Sequence, residues 1–381
     1  MKIGIITHPL IYNYGGILQN YALQDILKEM GHEVYTIDRL PKTPIKTKFL
    51  SLGKRILLKL SGKNIKLRGW QSNEEFKIIN KNTRGFVENN IILTEGITNN
   101  SEINKIHRKY KFDAYVVGSD QVWRRNEARG NNLEFLDFLE DNNEVKKIAY
   151  SASFGVSEWE FNEEETKKFK RLAQLFDPIS VREDAAVQLC QDYLNVEAQH
   201  LVDPTMLLTK DKFISVVEAK NIKKSDGNLF SYVLDRNETK KKIIDNISEE
   251  LGMKYFEVMP EQNFKIELEH GFDIHQCVFP EIEEWLRAFI DAKFVITDSF
   301  HGTAFAILFN KPFIAIVNKR RGASRFYSLL KTFGLENRAI TEEDSIDFKL
   351  ISEEIDFAKV NRILNQEREK SKNFLKEALN D

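Results

Sequence analysis

The first forty residues carry the pattern that decides the fold, and residues 2–38 have the sequence KIGIITHPLIYNYGGILQNYALQDILKEMGHEVYTID. The apolar run at 2–7 is typical of a buried parallel strand. After a glycine turn, apolar residues recur at helical spacing from Ile17 until Gly31, and residues 34–38 form a second strand. A strand, a helix and a second strand in this order open a doubly wound sheet, whose ligands bind beyond the carboxyl ends of the strands.

The same alternation continues along the chain and then starts again. Further strands of the first sheet are predicted at 114–117, 147–150 and 179–181. A boundary at Asp203-Pro204-Thr205 precedes a second set, because proline there disfavours continuing regular structure. Its strands are predicted at 229–234, 255–258, 294–297 and 313–317, and its helices at 239–251, 281–291 and 303–309. A charged, helix-prone tail follows at 351–379.

These patterns predict an α/β protein with two doubly wound, Rossmann-like domains that face a cleft. We place the N-terminal domain at 1–204, the C-terminal domain at 205–345 and a C-terminal helical segment at 346–381. A length of 381 residues agrees with two to three domains.

Composition excludes several classes of protein. The chain has 56 basic and 58 acidic residues, a net charge of −2, which argues against a general nucleic-acid binder. Two cysteines, Cys190 and Cys277, are too few for a disulfide scaffold or a thiolate zinc site and favour a reducing compartment. The sequence shows neither a signal-peptide pattern nor an apolar run of about 18 residues. We therefore expect a cytoplasmic protein.

One segment departs from the balanced charge. Residues 39–73 contain no acid, and ten basic residues lie among them: Arg39, Lys42, Lys46, Lys48, Lys54, Arg55, Lys59, Lys63, Lys66 and Arg68. Apolar residues are interleaved, so the segment is a basic amphipathic insertion. Two interpretations stay open. The insertion docks on an anionic membrane, which would make the protein peripheral on the inner face, or its apolar face packs on the sheet.

The densest group of polar residues is TDSFHGT at 297–303, between a predicted strand and a predicted helix. Backbone N–H groups at a helix N-terminus favour a phosphate or carboxylate. Ser299 and Thr303 could donate hydrogen bonds to such an anion, and Gly302 permits close backbone approach. His301 has the side chain most often used for acid–base catalysis. Alternatively, Asp298 or Ser299 only caps the helix and His301 is a bystander.

Basic residues after two other strands are candidate anion ligands. Arg182 follows the strand at 179–181, and arginine binds carboxylate or phosphate through two parallel hydrogen bonds. It could instead pair with its acidic neighbours Glu183 and Asp184. Arg321 and Arg325 lie in a basic run that follows the strand at 313–317 and could collect a polyanion.

The remaining candidates follow the strands at 114–117 and 2–7. Asp120 could orient or deprotonate a sugar hydroxyl and Trp123 could stack on the sugar ring, or Asp120 could only stabilise a turn. The turn before the first helix adds Asn13, Gly15, Gly16 and Gln19. No pair of histidines has metal-ligand spacing, so we predict no metal site.

Six segments, in order, resemble the polysaccharide pyruvyl transferase family. They are residues 13–23 (NYGGILQNYAL), 118–123 (GSDQVW), 151–155 (SASFG), 179–183 (ISVRE), 202–205 (VDPT) and 297–302 (TDSFHG). The resemblance implies a fold similar to GT-B glycosyltransferases. It also implies transfer of the enolpyruvyl unit of phosphoenolpyruvate to two hydroxyls of a sugar, which forms a pyruvate ketal and releases phosphate.

The resemblance also implies roles for the candidate residues, with His301 as general acid, Asp120 as a second catalytic residue and no cofactor besides the co-substrate phosphoenolpyruvate. The donor would contact Arg182, Ser299, Gly302, Thr303, Arg321 and Arg325. The acceptor would contact Asn13, Gly15, Gly16, Gln19, Trp123 and Ser153 of the N-terminal domain. Family members can have arginine where this chain has Ser299, so we expect Arg321 or Arg325 to supply that anion contact.

The predicted function is thus a pyruvyltransferase of surface-polysaccharide (exopolysaccharide) assembly, acting on a sugar or a lipid-linked oligosaccharide and not on nucleic acid. Two alternatives remain. One is a GT-B glycosyltransferase that uses a nucleotide sugar in the same cleft. The other is a non-catalytic glycan-binding or nucleotide-binding relative, because a fold does not fix a function.

Overall fold

Two parallel sheets form the framework of the computed structural model, which describes residues 1–40, 45–62, 68, 70–125, 132–262, 273–317, 322–344 and 347–380. The strands of the first sheet are β1 Lys2–Ile6, β2 Glu33–Thr36, β3 Ala114–Val117, β4 Lys146–Ala152, β5 Ile179–Val181 and β6 Gln199–His200. Those of the second are β7 Leu229–Tyr232, β8 Tyr255–Phe256, β9 Phe294–Thr297, β10 Phe313–Ile316 and β11 Ala339–Ile340.

The strand order places a switch point in each sheet. The orders are β2-β1-β3-β4-β5-β6 and β11-β10-β9-β7-β8, and every pairing is parallel. After β1 the next strand in sequence, β2, lies on one side of it and β3 lies on the other. In the same way β8 and β9 lie on opposite sides of β7. A crevice opens at such a point, beyond the carboxyl ends of the strands. The predicted fold of two doubly wound domains facing a cleft is confirmed.

Helices connect and cover the strands. Those in the described residues are α1 Tyr14–Glu29, α2 Ile45–Leu60, α3 Asn73–Ile79, α4 Lys81–Asn90, α5 Ile103–Tyr110, α6 Glu163–Ala173, α7 Asp184–Leu189, α8 Lys210–Glu218, α9 Glu238–Leu251, α10 Ile282–Asp291, α11 Phe300–Leu308, α12 Ala323–Phe333, α13 Phe348–Ser352 and α14 Phe357–Asn380. Single 3₁₀ or π turns lie at Asn100–Glu102, Leu133–Phe135, Asp137–Leu139, Cys190–Leu194, Pro204–Met206, Ile274–Cys277 and Glu336–Arg338. Nowhere in the described ranges is a helix long and apolar enough to cross a membrane.

Two helices begin earlier than predicted, because each has a side-chain cap before its glycine. Asn13 caps α1 by accepting a hydrogen bond from Gly16 N at 3.1 Å. Ser299 caps α11 in the same way, with Gly302 N at 3.3 Å. The predicted glycine turn is therefore the first turn of α1. His301 lies in the first turn of α11 rather than in a loop before it.

The core joins the two halves of the chain. One buried cluster contains Ile17 of α1 together with Trp285 of α10 and Phe305 of α11. At its edge Tyr14 stacks on Trp285, with ring centroids 5.8 Å apart, and donates a hydrogen bond to Pro280 O at 3.0 Å. The start of α1 is thus packed against the second half, which fixes where the carboxyl ends of the two sheets meet.

The C-terminal helix α14 returns to the segment after β6. The buried Arg368 guanidinium donates from Nε to Met206 O and from Nη2 to Leu208 O, both at 3.0 Å. Phe374 packs on Tyr150 of β4, with ring centroids 6.2 Å apart. A C-terminal helix is therefore present as expected, and it ties the end of the chain to the first sheet. The exact domain boundaries remain a prediction.

We expect Arg368→Met to lower the free energy of unfolding by about 1–3 kcal/mol, because it leaves the buried carbonyls of Met206 and Leu208 without donors. Lys376→Met, at an exposed position of the same helix, should change it by less than about 0.5 kcal/mol. Urea unfolding measures both. Equal losses in the two variants would contradict the assigned role of Arg368.

Candidate functional site

Four ionisable side chains from different segments meet at the carboxyl edge of the first sheet. Asp120 follows β3, Arg182 follows β5 and Asp203 follows β6, whereas His301 comes from the start of α11 in the second half. All four are almost completely buried, with at most 5% of any residue exposed. Parallel strands place their carboxyl ends at one edge, which explains why residues far apart in sequence converge here.

Arg182 holds the cluster together. Its Nη2 donates to Asp120 Oδ1 at 3.0 Å and its Nη1 to Asp203 Oδ2 at 2.9 Å. The guanidinium carbon lies 4.2 Å from the ring centroid of Phe300, a cation–π contact. The two carboxylates therefore accept from both Nη atoms of Arg182, and the ring covers one face of its guanidinium.

The charges of this cluster decide its protonation. Burial by itself would raise the pKa of Asp120, but Arg182 and then His301 more than offset that effect and hold the pKa well below its usual range. The same balance, with His301 contributing most and Arg182 next, holds the pKa of Asp203 far below its ordinary value. Both carboxylates are therefore ionised near neutral pH.

His301 faces Asp203 across the contact between the halves. The imidazole Nε2 lies 3.5 Å from Asp203 Oδ2. On its other side the ring packs against the backbone of α1, since a Cβ at Gly15 would lie 2.1 Å from His301 Cγ. Asp203 Oδ1 is fixed by the backbone N–H and hydroxyl of Thr205, at 3.0 and 2.9 Å. Asp203 is thus a rigid partner that can orient the imidazole and stabilise its protonated form.

A second arginine borders the cluster from the start of α12. The Arg325 guanidinium carbon lies 6.0 Å from the Phe300 ring centroid, so Arg325 and Arg182 share this ring. Burial, and next the positive charge of Arg182, lower the pKa of Arg325 to about 10. An anion bound nearby would stabilise the charged form of Arg325. This corner of the site is therefore suited to a phosphate or carboxylate.

Two further residues complete the surroundings of Asp120 and Arg182. Asn13 Nδ2 lies 3.4 Å from Asp120 Oδ2. Glu183 Oε1 lies 3.8 Å from Arg182 Nε and accepts a hydrogen bond from Ser153 Oγ. Burial raises the pKa of Glu183, although Arg182 opposes the shift.

Four of the residues predicted to contact a ligand are fully buried in this structure. Gln19, Trp123, Ser153 and Thr303 are all 0% exposed. Trp123 stacks on Phe135 with ring centroids 4.9 Å apart and donates to Glu134 O, so it has no free face for a sugar. Gln19 links the ends of β1 and β3 through Thr7 and Ser119, and the Thr303 hydroxyl donates to Ser299 O. In this structure these side chains make contacts within the protein, and their contact with a ligand stays a prediction.

Other predicted residues have changed roles. Arg182 lies in the site, but its donors are directed at Asp120 and Asp203, so a free anion clamp is not what the structure contains. Ser299 caps α11, and the missing side chain of Gly302 makes room for Thr297 and not for a ligand.

The outcome for the other candidates is mixed. The Gly16 amide is used by the cap of α1. Asp120, Asn13, Gly15, His301 and Arg325 do come together. Arg321 lies outside the described residues.

Sequence reasoning missed Asp203, which it took only for a boundary. The available signal was its place in VDPT, one of the six segments in family order.

Within the described residues no group of three or more His, Cys, Asp and Glu side chains is arranged to hold a metal ion.

Comparison with solved structures supports the fold. S. aureus MnaA in its co-structure with UDP matches at a TM-score of 0.52 and 13% identity, covering 100% of this chain and 97% of that one. The UDP-GlcNAc 2-epimerase of Methanocaldococcus jannaschii, in complex with UDP-GlcNAc and UDP, matches at 0.50 and 13%, covering 97% and 94%. The arrangement of the two domains is therefore GT-B-like, as expected.

Sequence comparison identifies the family. No curated protein sequence gives a significant match. The pattern of the polysaccharide pyruvyl transferase family, however, matches residues 13–320, which include every element that contributes to the charged cluster. The chain belongs to the polysaccharide pyruvyl transferase family.

Proposed function

We propose that this transferase moves the enolpyruvyl unit of phosphoenolpyruvate onto two hydroxyls of a sugar, with a pyruvate ketal and phosphate as products. The observation that carries the proposal is the His301–Asp203 contact of 3.5 Å, beside Arg325, where the carboxyl ends of both sheets meet. An acid–base histidine next to an anion-binding corner is what this donor requires. Family membership supports a sugar or polysaccharide acceptor, such as a surface-polysaccharide precursor.

His301 would act as the general acid. It gives a proton to the methylene carbon of phosphoenolpyruvate, and C2 becomes electrophilic. One sugar hydroxyl bonds to C2 and loses its proton, phosphate leaves with the C–O bond electrons, and the second hydroxyl closes the ring and loses its proton. One proton thus returns to His301 and the other leaves with phosphate. Asp203 stabilises the imidazolium before transfer and orients it throughout.

The donor anion would lie at Arg325 and the start of α11. Amides in the first turn of a helix have no intrahelical acceptor and carry partial positive charge, which favours phosphate or carboxylate. Asp120 and Asn13, on the side of the first sheet, would orient an acceptor hydroxyl. Because the cluster is almost completely buried, substrate access requires the halves to separate around it.

The first alternative is a glycosyltransferase that uses a nucleotide sugar. A comparison of nucleotide and phosphoenolpyruvate binding distinguishes it from the proposed pyruvyl transfer. The two similar structures are complexes with UDP or with UDP-GlcNAc and UDP, but at 13% identity they support the fold alone. Non-catalytic glycan binding is the third reading, which activity of the His301 variant tests.

Phosphoenolpyruvate should raise the thermal midpoint of the wild-type protein, since a ligand at about 100 times its Kd adds about 2.7 kcal/mol. UDP, GDP and CMP should not. We expect Arg325→Ala to lose this ligand-induced shift and Arg171→Ala to keep it, because Arg171 lies in an exposed ion pair with Glu140. Stabilisation by a nucleotide and none by phosphoenolpyruvate would replace the proposal with the glycosyltransferase.

His301→Asn should reduce phosphate release from phosphoenolpyruvate, assayed over a panel of sugar acceptors, by about 10²–10⁴-fold, the usual contribution of a general acid. Donor binding by the thermal-shift assay should persist. His32→Asn, at the end of α1 remote from the cluster and half-buried, is the matched control and should keep full activity. Full activity in His301→Asn would disprove its assigned role.

Arg182→Met should lower the free energy of unfolding by about 3–5 kcal/mol near pH 7.5, because it leaves Asp120 and Asp203 buried without their cation. The loss should shrink as the pH falls toward about 5. In the wild type the two carboxyl groups have lowered pKa values, so they stabilise the fold at any pH above their unfolded pKa of about 4. In the variant the pKa values of both groups rise, and protonation removes the unpaired buried charge as the pH falls. Urea unfolding of both proteins across this range measures the effect. A loss independent of pH would contradict it.

A further inference from the structure

The helix α2 exposes its apolar side to solvent. Five large apolar residues are between 42% and 80% exposed: Phe49, Leu50, Ile56, Leu57 and Leu60. With Gly53 they follow one another at the spacing of a single helical face. A surface helix of a soluble protein ordinarily turns this face to the core. The predicted alternative, that the apolar face packs on the sheet, is therefore wrong.

The other side of α2 faces the protein and carries much of its charge. Lys48, Ser51, Leu52, Arg55 and Leu58 are half-buried. Lys48 Nζ lies 5.8 Å from the ring centroid of Trp70, a contact that holds this side against the following segment. The half-buried side of α2, which carries Lys48 and Arg55 as well as two leucines, is thus the side that contacts the protein.

Cations flank the exposed apolar face on both sides. Lys54 and Lys59 are exposed and project from opposite edges of the face, as the 100° advance per residue requires. No acidic residue occurs anywhere in 39–73. An apolar stripe between lysines, without an acid nearby, matches the layered chemistry of an anionic lipid surface, where acyl chains lie below charged headgroups. A second copy of this face would bring lysines against lysines.

We propose that α2 is an interfacial helix that docks the protein on an anionic membrane, with Phe49, Leu50, Ile56, Leu57 and Leu60 inserted below the headgroups and Lys54 and Lys59 at headgroup level. The helix follows β2, whose carboxyl end lies at the same edge of the sheet as the charged cluster. Between them, Arg39 Nη1 donates to Thr7 O at 2.9 Å. Docking therefore brings the cleft edge of the first sheet toward the membrane.

The test is co-sedimentation of the full chain with phosphatidylglycerol-containing vesicles and with pure phosphatidylcholine vesicles, without donor or acceptor. The wild type should bind the former, less at high salt, and not the latter. Because no substrate is present, the outcome is independent of the proposed pyruvyl transfer.

Two double variants separate the apolar and the electrostatic contributions. Leu50→Ser with Leu57→Ser should weaken binding at least about tenfold. Lys54→Glu with Lys59→Glu should weaken it by about 30-fold or more, since each basic residue near an anionic surface is worth about fivefold. Lys241→Glu with Lys242→Glu, two exposed lysines of α9, changes the net charge equally and is the matched control. It should bind within about threefold of the wild type, because surface charges away from the membrane are screened.

Three results would overturn the proposal. They are no binding of the wild type to anionic vesicles, binding unchanged in both α2 variants, and an equal loss of binding in the α9 control.

Sedimentation velocity tests whether a second copy of the chain, rather than a membrane, covers the exposed face of α2. A dimer that Leu50→Ser with Leu57→Ser dissociates, together with no vesicle binding, would assign the face to a second copy instead. All variants change exposed residues, so unaltered thermal midpoints should show that they are folded.

Discussion

The buried guanidinium of Arg182 is the constraint on which the site depends. Two carboxylates from separate loops, Asp120 and Asp203, lie within 3.0 Å of it, away from water. Without the cation, each carboxylate would have to stay solvated or take up a proton, and the loops after β3 and β6 would not converge. With it, both remain ionised and Asp203 has a fixed direction. The Asp203 carboxylate faces His301. The ion pairs of the first half therefore fix the group that orients the imidazole in the second half.

The first and second halves of the chain come into close contact at two places where a glycine has no side chain to keep them apart. The His301 ring packs on Gly15, where a Cβ would be 2.1 Å away. At the second place, a Cβ at Gly322 would lie 2.0 Å from Gly155 O, and both of these glycines have positive φ, 97° and 73°. Only glycine satisfies both conditions cheaply. Both close approaches bring the first half of the chain against the second, and the charged cluster is almost completely buried, which strengthens the electrostatic interactions within it.

The strands were predictable to the residue at 114–117, 179–181 and 294–297, because a strand buried on both faces is a continuous apolar run that polar residues end. The site was predictable only in part. Asp120 and His301 follow strands directly, so their position at the sheet edge is local information. Trp123 lies in the core, which the sequence could not decide, because an aromatic side chain after a strand fits the core and a sugar site equally well. The ion pair between Arg182 and Asp203 could not be predicted from local sequence. Asp203 follows another strand, and the two residues meet only when the sheet is assembled.

In the proposed reaction, Ser299 in place of the arginine that family members can have changes how the donor would be held. Ser299 accepts a hydrogen bond from the Gly302 amide, so its hydroxyl oxygen serves as the cap of α11. Arg182 is a poor substitute for the absent arginine, because the carboxylates accept from both of its Nη atoms. Arg325 stands on the same Phe300 ring, and its pKa is lowered to about 10 by burial first and by Arg182 next. A doubly charged donor would reverse that penalty, whereas a neutral sugar would not. The positive charge of Arg325 at this corner therefore favours an anionic ligand over an uncharged one, which agrees with the proposed donor.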